Sequence, residues 1–336
     1  MTSAQPGRVA RASAPLRLDF AGGWTDVPPF SAQEGGLVVN ATIGLYAHAT
    51  VETGGSGIVL RSDDLGEELR IAGPQELRSD GKLALLQAAL RLYPLNHCKL
   101  TSRSEAPAGS GLGSSGALDV ALVSALSLAR NESPEPRDLA HAAWHLEVVE
   151  AGMPGGKQDQ WASALGGFRR FTFLDPVVES ERLRIDPAFL QFLERQMVLC
   201  YTGTSRISGR MISRVVGGYE RGDENIVRAF RGMKEVAAQM VEALEAGDPG
   251  QVGRLLNENW AHQCKLDPGM RTDEMAKLER AMTDAGVFGG KAAGAGAGGC
   301  MFFLARSDPA RVEAAARTAG AQLLPLSWVP EGVRTW

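Results

Sequence analysis

Cysteines, long apolar runs and clusters of basic residues are all scarce in this sequence. The four cysteines, Cys98, Cys200, Cys264 and Cys300, form no Cys-x-x-Cys pair, which argues against a disulfide framework and favours a reducing compartment. No stretch of about 18 apolar residues exists to span a bilayer, and residues 1–14 lack the apolar core of a signal peptide. The net charge is −4 without a Lys/Arg run, so neither nucleic acid nor membrane is an expected partner. We therefore expect a cytoplasmic protein that acts on small molecules.

The length and the apolar content predict two domains. With 336 residues, 44% of them hydrophobic, the chain can bury a substantial core on each side of a shared cleft. Long amphipathic helices are predicted over 223–246 and 249–263, whereas the earlier part is richer in strand-like runs. We place the boundary where this pattern changes, between a domain of residues 1–185 and a domain of residues 186–336.

Local patterns also predict shorter elements. Apolar runs indicate separate strands at 36–43 and 46–52, and a third strand at 301–304. A helix is expected from about residue 82 to residue 92. Another is expected to begin at Ser133 as the N-cap, since the prolines that follow suit the first turn of a helix.

A glycine-rich segment, Pro107–Ser115, precedes a small, apolar helical run. Glycines at alternate positions let backbone N–H groups turn inward, and the N-terminus of the following helix attracts the same anion. The hydroxyls of Ser114 and Ser115 stand where Mg²⁺ bridging a nucleotide triphosphate needs a ligand. No lysine follows the last glycine, so this is not a Walker A loop. A simple helix cap is the alternative.

A second segment follows a predicted half-buried strand near the N-terminus. Arg17 and Asp19 lie on the polar face of that strand, which then breaks at a Gly-Gly turn. The turn displays Trp24, Thr25 and Asp26, and an aromatic face with a carboxylate suits a polyol. The alternative is a hairpin turn in which Asp26 is only a turn former.

Two acidic residues in the middle of the chain could carry chemistry. Asp159 follows Gly156 and lies between two amides, Gln158 and Gln160; a lone aspartate near glycines is otherwise a turn residue. Glu147 is predicted at the edge of the apolar face of a helix, where a carboxylate needs either a metal or a salt-bridge partner.

These segments, together with Lys291–Cys300, resemble the GHMP family of small-molecule kinases over nearly the whole chain. The resemblance implies an α+β, two-domain fold. Its N-terminal α/β domain has a largely antiparallel sheet, its C-terminal α+β domain is ferredoxin-like, and the active site lies in the cleft between them. The resemblance also implies ATP and Mg²⁺ as cofactors.

The resemblance assigns roles to individual residues. Asp159 would accept the proton of the acceptor hydroxyl, with Arg17 stabilising charge, while Glu147 would join Ser114 and Ser115 around Mg²⁺. The residues implied for ATP binding are Pro107, Gly109, Ser110, Gly111, Leu112, Gly113, Ser114 and Ser115. Those implied for substrate binding are Trp24, Thr25, Asp26, Gly156, Arg206, Gly294 and Gly296.

Within the family, the sequence looks most like bacterial kinases that phosphorylate the anomeric hydroxyl of D-glycero-D-manno-heptose 7-phosphate. Arg206 is then the leading ligand for the phosphate of the substrate, with Lys265 and Arg271 as weaker candidates. The alternatives are that Arg206 pairs with a carboxylate between the domains and that Lys265 and Arg271 belong to an ordinary solvated face. Fucokinase-type domains are the alternative. The substrate is thus a sugar or a sugar phosphate, and the sequence does not decide between a monomer and a homodimer.

Two other classes stay open at this level. One is a sensor on the same fold that has lost catalysis, although Asp159, Arg17 and Glu147 are all present. The other is a dinucleotide-binding oxidoreductase, but no acidic residue ends a second strand about 20 residues after the glycine loop.

Overall fold

The computed structural model describes residues 7–81, 83–203 and 209–336. The strands are β1 (Val9–Ala21), β2 (Gly36–Thr53), β3 (Ile58–Ser62), β4 (Glu67–Ile71), β5 (Cys98–Ser104), β6 (Phe168–Leu174), β7 (Val177–Arg182), β8 (Met197–Tyr201), β9 (Val287–Ala292), β10 (Cys300–Ala305), β11 (Gln322–Leu324) and β12 (Arg334–Thr335). The helices are α1 (Phe30–Gln33), α2 (Ala84–Leu92), α3 (Ser114–Ala129), α4 (Pro136–His145), α5 (Gln158–Leu165), α6 (Pro187–Gln196), α7 (Gly209–Glu220), α8 (Glu224–Ala246), α9 (Pro249–Gln263), α10 (Asp273–Ala285) and α11 (Pro309–Ala319).

The first sheet is built around β2, its longest strand. Its path runs β12-β1-β2-β5-β3-β4, and β6 pairs with the other half of β2 and with β7. The β3–β5 pair is parallel, and the other described pairings of this sheet are antiparallel. The two strands expected over 36–43 and 46–52 are one strand, because a shift in register next to Pro15 and Leu16 absorbs two residues of β2 and pairing with β1 continues.

The second sheet has the order β11-β8-β10-β9, with antiparallel pairings between neighbours. Numbered from β8 along the chain, this is the order 4-1-3-2, which is the ferredoxin-like arrangement, here with α7 to α10 in the connection between β8 and β9. The predicted α+β fold with a largely antiparallel first sheet and a ferredoxin-like second domain is confirmed. The boundary at residue 185 stays a prediction; it falls between β7 and α6, and β12 pairs back to β1 across it.

Helix boundaries follow their capping residues. Asp223 and Asp248 accept hydrogen bonds from the first backbone N–H groups of α8 and α9, so both predicted helices are confirmed. The expected N-cap at Ser133 is wrong. The helix begins at Pro136 because Glu135, which precedes a proline, is held in the extended conformation and makes no side-chain cap.

The central helix α3 lies against β1 and β2 and is buried along most of its length. A second core cluster fills the ferredoxin-like domain, and Trp260 belongs to it. All four cysteines are free thiols; Cys98, Cys200 and Cys300 are buried and Cys264 is half-buried. In the described ranges, no helix combines the length and the apolar character needed to cross a membrane.

Candidate active site

A cavity of about 210 Å³ lies where the first sheet, α5 and the second domain meet. It is lined by Arg17, Asp19, Gly23, Trp24, Asp26, Val27, Glu147, Pro154, Gly155, Gly156, Gln158, Asp159, Gln160, Ile212, Gly294 and Ala295. Most of the predicted catalytic and substrate residues within the described ranges therefore share one cavity. Among the residues that the structure describes, four carboxylates and one guanidinium form its charged lining.

The Arg17 guanidinium holds Asp159. Its Nε and Nη2 both lie 2.7 Å from Asp159 Oδ1, so this arginine leaves Oδ2 unbonded. Its Nη1 donates to the carbonyl oxygens of Gly111, at 2.8 Å, and Ala293, at 3.1 Å. Arg17 is only 5% exposed, whereas the side chain of Asp159 is 28% exposed. One buried cation thus orients Asp159 and contacts the backbone of both glycine-rich loops.

The two glycine-rich loops pack backbone against backbone. Gly109, Gly111 and Gly113 have φ of 69°, 73° and 73°, values that side chains rarely allow. A Cβ on Gly294 would overlap the carbonyl oxygen of Gly111, and the N–H of Cys300 donates to the carbonyl of Ser110 at 2.6 Å. Any side chain on Gly294 would therefore push the loops apart.

The predicted nucleotide loop meets α3 at Gly113, whose left-handed conformation starts the helix. Ser110 Oγ lies 3.3 Å from Ser114 Oγ, and Leu112 is fully buried, its carbonyl accepting the N–H of Arg17 at 3.0 Å. Pro107 supplies a carbonyl that closes the loop onto the N–H of Ser110 at 3.1 Å. The loop is thus held by a backbone bond from Arg17 of β1 and by a backbone bond between its own residues Pro107 and Ser110.

Glu147 lies in one π-helical turn, Leu146–Glu150, that continues α4. Ser115 Oγ donates to its Oε1 and Gln160 Nε2 donates to its Oε2, each at 2.6 Å. Burial is the main cause that raises the pKa of Glu147 to about 7. Among the described residues, no three His, Cys, Asp or Glu side chains gather as metal ligands. One carboxylate with a hydroxyl nevertheless suits Mg²⁺ that takes its other ligands from phosphates.

Asp26 is buried against the start of α5. Its Oδ2 accepts the backbone N–H groups of Lys157, at 2.8 Å, and Gln158, at 3.0 Å, and its Oδ1 accepts Gln158 Nε2 at 3.2 Å. Burial raises the pKa of Asp26 to about 6. A Cβ on Gly156 would overlap the Asp26 carboxylate, so glycine is needed there for space.

The first turn of α5 directs three consecutive side chains to three partners. Gln158 contacts Asp26, Asp159 contacts Arg17, and Gln160 contacts Glu147. Sequence reasoning gave the two glutamines no role. Successive residues of a helix project about 100° apart. The two amides that flank Asp159 in the sequence could therefore have indicated that each binds a different partner in the site.

Trp24 lines the cavity with a left-handed φ of 76°, and its Nε1 donates to the Ala295 carbonyl at 3.3 Å. Thr25 is placed differently: its hydroxyl donates to the Gly22 carbonyl at 2.6 Å and accepts the Leu37 N–H at 3.0 Å. It is fully buried and shapes the turn without lining the cavity. Gly296 also lies off the cavity, next to Met270.

Arg206, the leading candidate for binding a substrate phosphate, lies outside the described residues. Lys265 and Arg271 do not line the cavity; Arg271 forms an ion pair with Glu279, which also accepts from Trp260 Nε1. Sequence reasoning gave Lys291 no role of its own; it is fully buried and donates to Asp19 Oδ2 at 2.8 Å across the two domains.

The cavity places the Asp159 carboxylate beside a glycine-rich loop whose backbone suits phosphates, and this fold, with its site between two domains, is that of a small-molecule kinase. Two family models match: the GHMP kinases N terminal domain over residues 82–167 and the GHMP kinases C terminal domain over residues 240–322. The chain belongs to the GHMP kinase family. It is an ATP-dependent sugar kinase.

Three relatives illustrate the similarity. The D-glycero-alpha-D-manno-heptose 7-phosphate kinase of Campylobacter jejuni is 31% identical, with 98% of this chain and 99% of that protein covered. The crystal structure of a D-glycero-D-manno-heptose 1-phosphate kinase from Bacteroides thetaiotaomicron is 30% identical, covers 97% of this chain and 98% of its own, and has a TM-score of 0.80. The bifunctional fucokinase/GDP-fucose pyrophosphorylase of Arabidopsis thaliana is 28% identical over 90% of this chain but only 30% of its own length.

Proposed function

We propose that the chain transfers the γ-phosphoryl group of ATP to the anomeric hydroxyl of D-glycero-D-manno-heptose 7-phosphate, giving the 1,7-bisphosphate. Similarity over both full lengths to a heptose 7-phosphate kinase supports this acceptor. The observation that carries the chemistry is the Arg17–Asp159 pair, which stands in the cavity and touches both glycine-rich loops. The product would feed the synthesis of a nucleotide-activated heptose. Use of ATP supports a location in the cytoplasm.

In this mechanism the acceptor hydroxyl of the sugar lies against Asp159. The hydroxyl oxygen forms a bond to the γ-phosphorus of ATP, while the bond from that phosphorus to the oxygen bridging the β- and γ-phosphates breaks and ADP leaves. The hydroxyl proton passes to Asp159, whose Oδ2 carries no bond from Arg17. A loose transition state of this kind depends on alignment and charge neutralisation, and the Arg17 guanidinium supplies both on the acceptor side.

On the nucleotide side, the glycines of Pro107–Ser115 and the N-terminus of α3 would bind the phosphates. Ser115 and Glu147 would hold Mg²⁺, with Ser114 beside them. The ion would neutralise charge on the phosphate oxygens. The main contribution of the chain is to keep the Glu147 carboxylate in place through Ser115 and Gln160.

A panel of acceptors tests the proposal. Heptose 7-phosphate, free heptose, L-fucose and galactose are each offered with Mg-ATP, with ADP release followed by a coupled assay and the product anomer by phosphorus NMR. We expect heptose 7-phosphate to have the highest kcat/KM. A preference for L-fucose would replace the heptose assignment with a fucokinase, the alternative that the Arabidopsis relative supports. ATP hydrolysis with no sugar product would contradict both.

A further inference from the structure

The first turn of α5 is capped by a residue that is distant in the sequence, near the N-terminus of the chain. The N-cap residues Asp186, Asp223, Asp248 and Asp308 each accept a backbone N–H from the helix that directly follows them. Lys157, at the N-cap of α5, makes no such side-chain bond. The role is taken by Asp26, which lies 131 residues before Lys157.

The cap leaves Asp26 little capacity for a ligand. A carboxylate offers about four acceptor directions, and Oδ2 already accepts two backbone N–H groups while Oδ1 accepts the Gln158 amide. The residue is 1% exposed. At most one direction therefore remains for a hydroxyl in the cavity, whereas three bonds connect Asp26 to α5.

Asp159 lies in the turn that this cap fixes. Its side chain is held by Arg17, but its backbone follows the first turn of α5, and so do Gln158 and Gln160. Because Gln160 donates to Glu147, a shift of this turn would move the proton acceptor and the predicted metal ligand together. Small displacements of aligned groups cost large factors in rate.

We propose that Asp26 is a positioning residue that fixes the first turn of α5, and with it Asp159, through its bonds to the N–H groups of Lys157 and Gln158. The inference rests on the proposed function only in taking Asp159 as the group beside the acceptor hydroxyl. A residue that served only as a sugar ligand would affect KM for the sugar and leave the helix terminus unchanged.

The test compares Asp26→Ala with Asp26→Asn in the full chain. Asparagine keeps one oxygen that can accept both backbone N–H groups, and its amide can face Gln158 Oε1, which lacks a hydrogen-bond partner in the described part of the chain. Alanine removes the cap. Two readouts are used: kcat and KM with the preferred acceptor, and hydrogen exchange of the amides of residues 157–160 without ligands. Asp308→Ala, which removes a cap from α11 far from the cavity, is the matched control.

We expect Asp26→Ala to lower kcat by about 10- to 100-fold and to raise exchange at Lys157 and Gln158 at least about tenfold. Asp26→Asn should stay within about fivefold of wild type in both readouts, and Asp308→Ala within about twofold in kcat. Unchanged exchange in Asp26→Ala would overturn the proposal, as would an equal kcat loss in Asp26→Asn. Because exchange is measured without substrate, it tests the cap even if the acceptor is not a heptose phosphate.

Discussion

Arg17 connects more parts of the site than any other single side chain described above. It contacts the carboxylate of Asp159 and the carbonyl oxygens of Gly111 and Ala293, from both domains. This single side chain therefore fixes the Asp159 carboxylate relative to both glycine-rich loops, while Asp159 Oδ2 carries no bond from it.

Replacing Asp159 with asparagine should abolish most turnover and leave ATP binding nearly unchanged. The change keeps the shape of the side chain but removes the proton acceptor, and loss of a positioned base costs on the order of 10² to 10⁴ in rate. Single-turnover kinetics give the rate and nucleotide titration gives the ATP affinity. A fall in kcat of less than about tenfold would show that Asp159 is not the base.

Ser114 and Ser115 are adjacent but should differ in their effect on the metal requirement. Ser115 donates to Glu147, whereas Ser114 Oγ lies beside Ser110 Oγ. Ser115→Ala should raise the Mg²⁺ concentration for half-maximal rate by about tenfold, and Ser114→Ala by less than about threefold, since losing a residue that orients a metal ligand costs about 10- to 100-fold. Mg²⁺ titrations at saturating sugar compare the two. Equal shifts would mean that the Ser115–Glu147 bond does not determine the metal site.

Asp26 should make the stability of the protein depend on pH. Burial raises the pKa of Asp26 to about 6, above the ordinary value of 3.8. The folded state therefore binds this proton more tightly than the unfolded chain, so the contribution to stability is present below the ordinary pKa and is lost as pH rises through 6. Between about pH 4.5 and 7, the wild type should lose about 2 kcal/mol relative to Asp26→Asn. Urea unfolding of both proteins at several pH values measures this; a constant difference would contradict it.

Site residues that belong to a local sequence motif could be predicted, whereas site residues whose hydrogen-bond partner is distant in the sequence could not. Asp159 and the glycine loop stand out in the sequence because their neighbours have special conformational properties. The bond between Lys291 and Asp19 joins residues 272 apart, and no local sequence pattern near either residue predicts it. Distant partners of this kind can be identified only when the relative position of the two domains is known.

At the scale of elements, the contact between the glycine loops should control nucleotide affinity. Gly294→Ala forces a Cβ against the carbonyl of Gly111 and must separate the loops. Overpacking costs about 1–3 kcal/mol, so we expect KM for ATP to rise by about 10- to 100-fold. Gly250→Ala on α9 is the matched control, since its Cβ would meet nothing nearer than 3.3 Å. An unchanged KM for ATP would show that the loops are free to move apart.

Elements were predictable to different degrees. The helices α8 and α9 have strong amphipathic periods and aspartate caps, and both were found within a residue of their ends. The sequence predicts two strands where the structure has the single strand β2, because the shift in register that keeps β2 continuous depends on its pairing with β1. Pairing between strands is a tertiary property, whereas a cap is local.

At the scale of the whole molecule, the Lys291–Asp19 pair links the two domains. Lys291→Met leaves a buried carboxylate without its cation and should lower the free energy of unfolding by about 3–5 kcal/mol. Adding Asp19→Asn should restore part of this loss. Lys99→Met is the control, because its ion pair with Glu52 is exposed and should contribute less than about 1 kcal/mol. Chemical denaturation of the wild type, the two single lysine variants and the double variant measures the free energy of unfolding. Equal losses for Lys291→Met and Lys99→Met would argue against a stabilising link between the domains.

The four free thiols have a practical consequence for spectroscopy. Burial raises the pKa of Cys98 to about 11 and those of Cys200 and Cys264 to about 12, and it also raises the pKa of Cys300. At neutral pH the thiolate, which is the form that maleimides modify, is then on the order of one part in ten thousand or less. A fluorophore or spin label can therefore be attached to a cysteine introduced at exposed Met153, beside Pro154 at the cavity, with the native cysteines left in place.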